Sequence, residues 1–236
     1  MAKTYNTNFY SSRHGNSLYS AETIVNLISD YVKPKSVVDI GCGVGTWLSV
    51  FQQSGIKDIL GVEGQWVEEE NVVIPLENFK KANLEEKIDL ERKFDLAVTL
   101  EVAEHIDAQY ADQFVSNLVN LAPVVMFSAA IPLQGGKHHV NEQWPDYWRD
   151  VFAKHDYLLI DGIRPHVWND EGIEMWYAQN TFVYVAKDKL SDYPELEKQY
   201  TENPMMLSAV LPRFYEFKLN RYPIGRAIKN KIKRTF

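Results

Sequence analysis

Short apolar runs alternate with amphipathic segments along most of the chain, the pattern of a parallel sheet whose strands are joined by crossover helices. Residues 21–31 have helical spacing, with Ser20 placed to cap the helix and Pro34 to stop it. The next apolar runs predict strands at 36–40, 58–62 and 72–74, with a short helix at 46–54 between the first two. A helical patch at 84–90 precedes a fourth strand at 94–99, a helix at 108–121 and a fifth strand at 124–128. A helix at 144–154 and strands at 157–161 and 181–186 complete a doubly wound α/β sheet of seven strands. No internal repeat or low-complexity tract interrupts it.

The most informative segment is Val37-Val38-Asp39-Ile40-Gly41-Cys42-Gly43-Val44-Gly45-Thr46. A buried strand runs into a glycine turn and a helix begins at once, so backbone amides at the helix start face a crevice at the strand's carboxyl end. Such a turn serves either a nucleotide-like ligand or close packing alone. The spacing is G-x-G-x-G, with Asp39 two residues before the first glycine, and so departs from the G-x-G-x-x-G of dinucleotide sites. Glu63 ends the next strand just over 20 residues beyond the turn, where a carboxylate can accept both hydrogen bonds of a ribose diol.

These residues resemble the class I S-adenosylmethionine-dependent methyltransferases. The likeness extends over residues 20–186 through four ordered pieces: 37–46, Gly-Val-Glu-Gly at 61–64, Ala-Asn-Leu at 82–84, and Phe-Asp-Leu-Ala-Val-Thr-Leu-Glu-Val-Ala-Glu-His-Ile at 94–106. The resemblance implies a Rossmann-like sheet with an antiparallel last strand and S-adenosylmethionine as cofactor. It places Gly41, Gly43 and Gly45 against the methionine part, with Asp39 shaping that pocket. Glu63 and Gly64 would meet the ribose, Asn83 and the Leu84 backbone the adenine, and Leu100 and Glu101 the floor below the sulfonium. Glu101, Glu104 and His105 also share a helical face suited to a metal; the resemblance instead makes them an ordinary family pattern with His105 beside the cofactor, and no metal is expected.

Acceptor specificity in such a fold is expected from the N-terminal segment and the loops after strands four and five. Residues 9–19 are polar, aromatic and irregular, either a lid or a solvated arm; in a lid, Arg13 pairs with the cofactor carboxylate, Tyr10 or Tyr19 closes the crevice and His14 faces the acceptor. The loop at 128–148 is dense in hydrogen-bonding groups and aromatics, and it resembles a loop of bacterial methyltransferases of sugar and surface-glycan assembly. An alcohol is a poor nucleophile until deprotonated, and imidazole, with an unperturbed pKa of about 6.5, suits that task. His138 and His139 are therefore the candidate bases, with His105, Gln134, Asn141, Trp144 and Trp148 as acceptor contacts. Two alternatives stay open for the His pair: plain surface polarity, or ligation of a divalent ion together with Glu142 or Asp161. His155 and His166 read as structural, and of Trp144, Trp148, Trp168 and Trp176 about two are expected on a binding wall.

Composition sharpens this in two places. The 236 residues carry a net charge of −7, which argues against a nucleic-acid surface. Residues 213–236 nevertheless hold eight basic groups against one acid, +7 on a body of −14. Expected divisions are a lid at 1–20, a methyltransferase domain at 21–190 and an extension at 191–236 whose basic tail stands outside the unit, touching an anionic membrane or another subunit; its loss should spare activity. A single cysteine and the absence of an apolar leader predict a cytoplasmic chain, peripheral to the membrane at most. The expected activity is methyl transfer to a hydroxyl of a sugar, nucleotide sugar or other small polar glycan precursor. N-methylation of an amino sugar or small amine, and a noncatalytic binding protein of the same fold, are the alternatives.

Overall fold

The computed structural model describes residues 7–202, 204 and 206–221, with side chains from Ser17 onward. In chain order the helices are α1 (Thr7–Val32), α2 (Thr46–Gln53), α3 (Ala111–Leu121), α4 (Pro145–Ala153), α5 (Arg164–Val167), α6 (Met175–Asn180), α7 (Pro194–Glu197) and α8 (Pro212–Arg221). The strands are β1 (Ser36–Ile40), β2 (Asp58–Glu63), β3 (Phe79–Lys81), β4 (Leu96–Leu100), β5 (Val124–Ser128), β6 (Tyr157–Ile160) and β7 (Phe182–Ala186). They form one seven-stranded sheet in the order β3-β2-β1-β4-β5-β7-β6. The pairings from β3 to β5 are parallel, and β7 is antiparallel to both β5 and β6. Strand order therefore reverses between β1 and β4, which opens a crevice at their carboxyl ends.

Both faces of the sheet are covered, so its inner strands are apolar along their length rather than alternating. Successive residues serve opposite faces: Val37 packs under α1 and α2 with Ile24, Val25, Ile28 and Leu48, whereas Val38 packs with Phe114 and Leu118 of α3 on the other side. In α1 the buried positions Ala21, Ile24, Val25, Ile28 and Val32 recur at helical spacing and give it one core-facing stripe.

Four expectations change. The helix expected at 21 begins at Thr7, so the segment foreseen as irregular is helical; no proline interrupts it before residue 34. Residues 72–74 are not a strand: Val73 N–H bonds to Val44 O, and buried Ile74 wedges beneath the glycine turn, leaving Phe79–Lys81 to pair with Gly61–Glu63. No helix forms at 84–90, because buried Asn117 serves that backbone instead, accepting from Ile88 N–H and donating to Glu86 O. The extension does not stand apart. Leu196, Leu211 and Phe214 join the core, and Leu211 N–H bonds to Gln179 Oε1 at 2.8 Å. The part of the basic tail beyond Arg221 lies outside the described residues. Among the described residues no helix is long and apolar enough to cross a membrane.

Because α8 is part of the core, Phe214→Ala should lower unfolding stability by about 3 kcal/mol. Tyr215→Ala, at an exposed neighbour, should stay within about 0.5 kcal/mol in the same urea titration.

Candidate active site

The three glycines of the turn after β1 all have left-handed backbone, with φ of 83° at Gly41, 56° at Gly43 and 90° at Gly45. Their surroundings differ. A Cβ on Gly41 would lie 2.4 Å from Val102 and one on Gly45 3.0 Å from Ile74, so these two are also packing glycines. A Cβ on Gly43 would meet nothing within 4 Å: its open side faces the crevice, where a ligand can approach the backbone.

Glu63 closes the other side. Its carboxylate accepts from Gly43 N–H at 2.6 Å and from Gly64 N–H at 2.7 Å, and it is nearly inaccessible. Burial raises its pKa against the opposing pull of these two bonds. Asp39 is buried beside it and lies well above the ordinary carboxylate range, chiefly from burial and then from the Glu63 charge. Two acids and three glycines thus converge at the carboxyl ends of β1 and β2. Asn83 follows β3 on the same edge, where its side chain organises a local turn with Glu85 N–H and Glu86; Leu84 behind it is buried. Trp66, which the sequence reading missed, lays its ring over Gly64, where a Cβ would come within 2.1 Å of it.

The second half of the site is built on the tip of β4. Leu100 is buried, and Glu101 adopts a left-handed φ of 56°, a conformation that costs a side chain about 1 kcal/mol or more. The fold fixes it: its N–H bonds to Ser128, and its carboxylate accepts from Gln134 Nε2 (2.5 Å) and Asn180 Nδ2 (3.2 Å). Burial raises its pKa despite these bonds. One turn on, Glu104 is 1% exposed, and its carbonyl holds the N–H groups of Val140 and Asn141. The loop after β5 is thereby drawn down onto residues 101–105. Within it Glu142 accepts from Leu133 N–H and Gly135 N–H and pairs with His139 Nδ1 at 2.8 Å. The His105 and His139 rings meet edge to face, 4.8 Å between centroids.

A methyltransferase-domain family profile matches residues 12–183. The chain belongs to that family. Its cofactor is S-adenosylmethionine, and the open left-handed backbone at Gly43 beside Glu63 fits such a ligand. Norajmaline N-methyltransferase of Rauvolfia serpentina is 32% identical over 114 residues, 42% of this chain and 37% of that enzyme, so the match spans well under half of the relative's length. Among solved structures, SAM-bound CalS10, an amino pentose methyltransferase from Micromonospora echinaspora, superposes with a TM-score of 0.53 at 12% identity, covering 79% of this chain and 99% of that one. The methyltransferase domain of bacterial CtHen1-CN gives 0.50 at 20% identity, covering 70% and 96%. At these identities the superpositions speak to the fold.

The remaining expected site residues of this methyltransferase are distributed unevenly. Tyr10, Arg13 and His14 lie on the first turns of α1, and their side chains are outside the described residues. Tyr19 is half exposed and donates to Asp170 Oδ2 rather than covering the crevice. Gln134 is 8% exposed, with its amide bound to Glu101 and Asn180, so it anchors the loop and does not face an acceptor. Asn141 is likewise buried. Trp148 is a core residue 5.1 Å from Phe127, turned inward on the buried face of α4, which removes it from any binding wall. Trp168 and Trp176 pack against the core, leaving Trp144, 40% exposed, as the loop's accessible indole. His138 is exposed and contributes its carbonyl, held by His105 Nδ1 at 3.2 Å, while only His139 joins the buried acids. His155 pairs with Asp112 and His166 with the Tyr31 hydroxyl, both away from the crevice.

Two outcomes are expected. Glu63→Ala removes the ordered carboxylate and should weaken S-adenosylmethionine binding about thirtyfold in calorimetry, equivalent to about 2 kcal/mol. Asp39 has a folded pKa above its unfolded one, so its protonated form stabilises the fold fully below about pH 4, and that contribution is lost as pH rises through the folded value. Asp39→Asn should therefore raise the melting temperature of the ligand-free protein at pH 8 relative to wild type and leave a smaller gain at pH 5.

Proposed function

We propose that this methyltransferase modifies a hydroxyl of a sugar, nucleotide sugar or other small polar glycan-precursor acceptor. The observation that carries the reading is the docking of the loop after β5 onto residues 101–105, which sets His139, Glu142 and Glu104 beside the β4 tip. The glycine turn touches the same tip through Gly41 and Val102, so the polar cluster adjoins the cofactor crevice.

In this reading Asp39, Gly41, Gly43, Gly45, Glu63, Gly64, Asn83, Leu84, Leu100 and Glu101 hold S-adenosylmethionine. The cofactor supplies a methyl carbon activated by a sulfonium. The chain's own residues bind and orient the acceptor and ease the loss of its proton. His139, locked by Glu142, heads the cluster that does this. Exposed Leu133, Val140 and Trp144 on the same loop offer apolar faces suited to a ring that is apolar on its flat side and polar at its edge. His105 borders the acceptor.

A second reading, N-methylation of an amino sugar or small amine, draws support from the N-methyltransferase relative and the amino pentose methyltransferase neighbour. An amine free base already carries its lone pair and does not need the cluster for deprotonation. Mass spectrometry of products from labelled S-adenosylmethionine and a panel of nucleotide sugars, amino sugars and lipid-linked glycans separates the two. On a hydroxyl acceptor His139→Ala should lower turnover about a hundredfold and reshape the pH–rate profile between pH 5 and 8, while His138→Ala stays within a few-fold. Full turnover of the His139→Ala enzyme on its natural acceptor would remove the hydroxyl reading, as would transfer only to protein or nucleic acid.

A further inference from the structure

The geometry points to a divalent-cation site formed by Glu104, His105 and His139 beside the cofactor crevice, and we propose that a first-row ion such as Mn²⁺ binds there. One potential ligand atom from each residue lies within 4.8 Å of the other two. Atoms ligating one ion at about 2.1 Å stand about 3–4 Å apart, so closure of the widest pair by about 1 Å completes the set. Glu104 Oε1 and His139 Nε2 are 3.9 Å apart, too far for a hydrogen bond and well spaced for two ligands of one ion.

The independent observation is at Glu104. This residue is 1% exposed, and its Oε2 is buried with no hydrogen-bond partner. A carboxylate in that position is costly unless paired or bound to a metal. Neighbouring acids aggravate the cost: the charges of Glu101 and Glu142 act on Glu104 in addition to its burial. A dication would offset three converging carboxyl groups at once.

The imidazoles are held as metal ligands usually are. His105 Nδ1 faces the His138 carbonyl, which can only accept, so that tautomer carries its lone pair on Nε2. His139 Nδ1 is bound to the Glu142 carboxylate, which is itself fixed by two backbone N–H groups, and its Nε2 is turned to Glu104. A carboxylate oriented behind a ligand histidine makes the ring a stronger base. Two imidazoles and one carboxylate on one side leave coordination positions open and favour a first-row divalent ion over Ca²⁺.

The inference rests on the hydroxyl reading above and specifies its chemistry: His139 is then a ligand, and the ion raises the acidity of an acceptor hydroxyl in an open position, its proton passing to water. The proposal departs from the sequence expectation of no metal, with Glu142 behind a ligand rather than among the ligands, and His138 supplying only its carbonyl.

The test is Mn²⁺ titration of the chelator-treated full chain, followed by water-proton relaxation, with S-adenosylmethionine calorimetry on the same samples. One bound Mn²⁺ is expected, weakened about tenfold or more by Glu104→Gln and by His139→Ala, and unchanged by His138→Ala. Where Glu104→Gln does not fold, His139→Asn takes its place and should show the same loss. Absence of Mn²⁺ binding at millimolar concentration, or equal affinity in the wild-type and folded ligand variants, overturns the site. Binding of Mn²⁺ with no product on any hydroxyl acceptor overturns the hydroxyl reading while leaving the site standing.

Discussion

The half-buried carboxylate of Glu101 is the constraint around which the candidate site is arranged. It sits in a left-handed conformation at the tip of β4 and gathers Gln134 from the loop after β5 and Asn180 from the end of α6. Asn180 also donates to Gln134 and accepts from Gln179, whose own carbonyl oxygen receives Leu211 N–H at the start of α8. Three chain segments remote in sequence are thus tied to one side chain at the mouth of the crevice. Each bond to an ionised carboxylate is worth about 1.5–3 kcal/mol, and the loss of one partner leaves the others buried and unmatched. The strain at Glu101 is held by this network.

The C-terminal segment takes on a different meaning in that light. Its +7 charge made it look like a detachable tail. The described part is instead clamped to the site: Lys218 Nζ donates to Gln134 O at 2.9 Å, and Arg164 holds Leu207 O and Met206 O. Removing residues 213–236 would therefore take away a core phenylalanine and a contact to the loop after β5 together. Polar residues at the crevice are thereby linked to the apolar residues beneath α8.

Much of this was legible in the sequence because its signals were local. The strand–turn–helix at 36–53, the acid at the end of β2 and the Glu-x-x-Glu-His run after β4 each occupy a few consecutive residues, and the fold brings them together as the parallel topology requires. What escaped depended on long-range satisfaction of polar groups. Asn117 replaces a helix at 84–90 across 31 residues of chain, and Asn180 reaches Glu101 across 79. No spacing rule announces either. The indole of Trp148 shows the same limit from the other side: an aromatic in a polar loop resembled a binding wall, yet the face of α4 it occupies turns it into the core.

The central claim is that the cofactor crevice between β1 and β4 and the loop after β5 form one site. Hydrogen exchange of the full chain, measured with and without S-adenosylmethionine, tests it most directly. Slowed exchange is expected in peptides covering Gly41–Gly45, Gly64 and Leu84, accompanied by slowed exchange in the loop at 129–144. Protection confined to other strands, or a bound cofactor that leaves both the glycine turn and that loop unchanged, would contradict it.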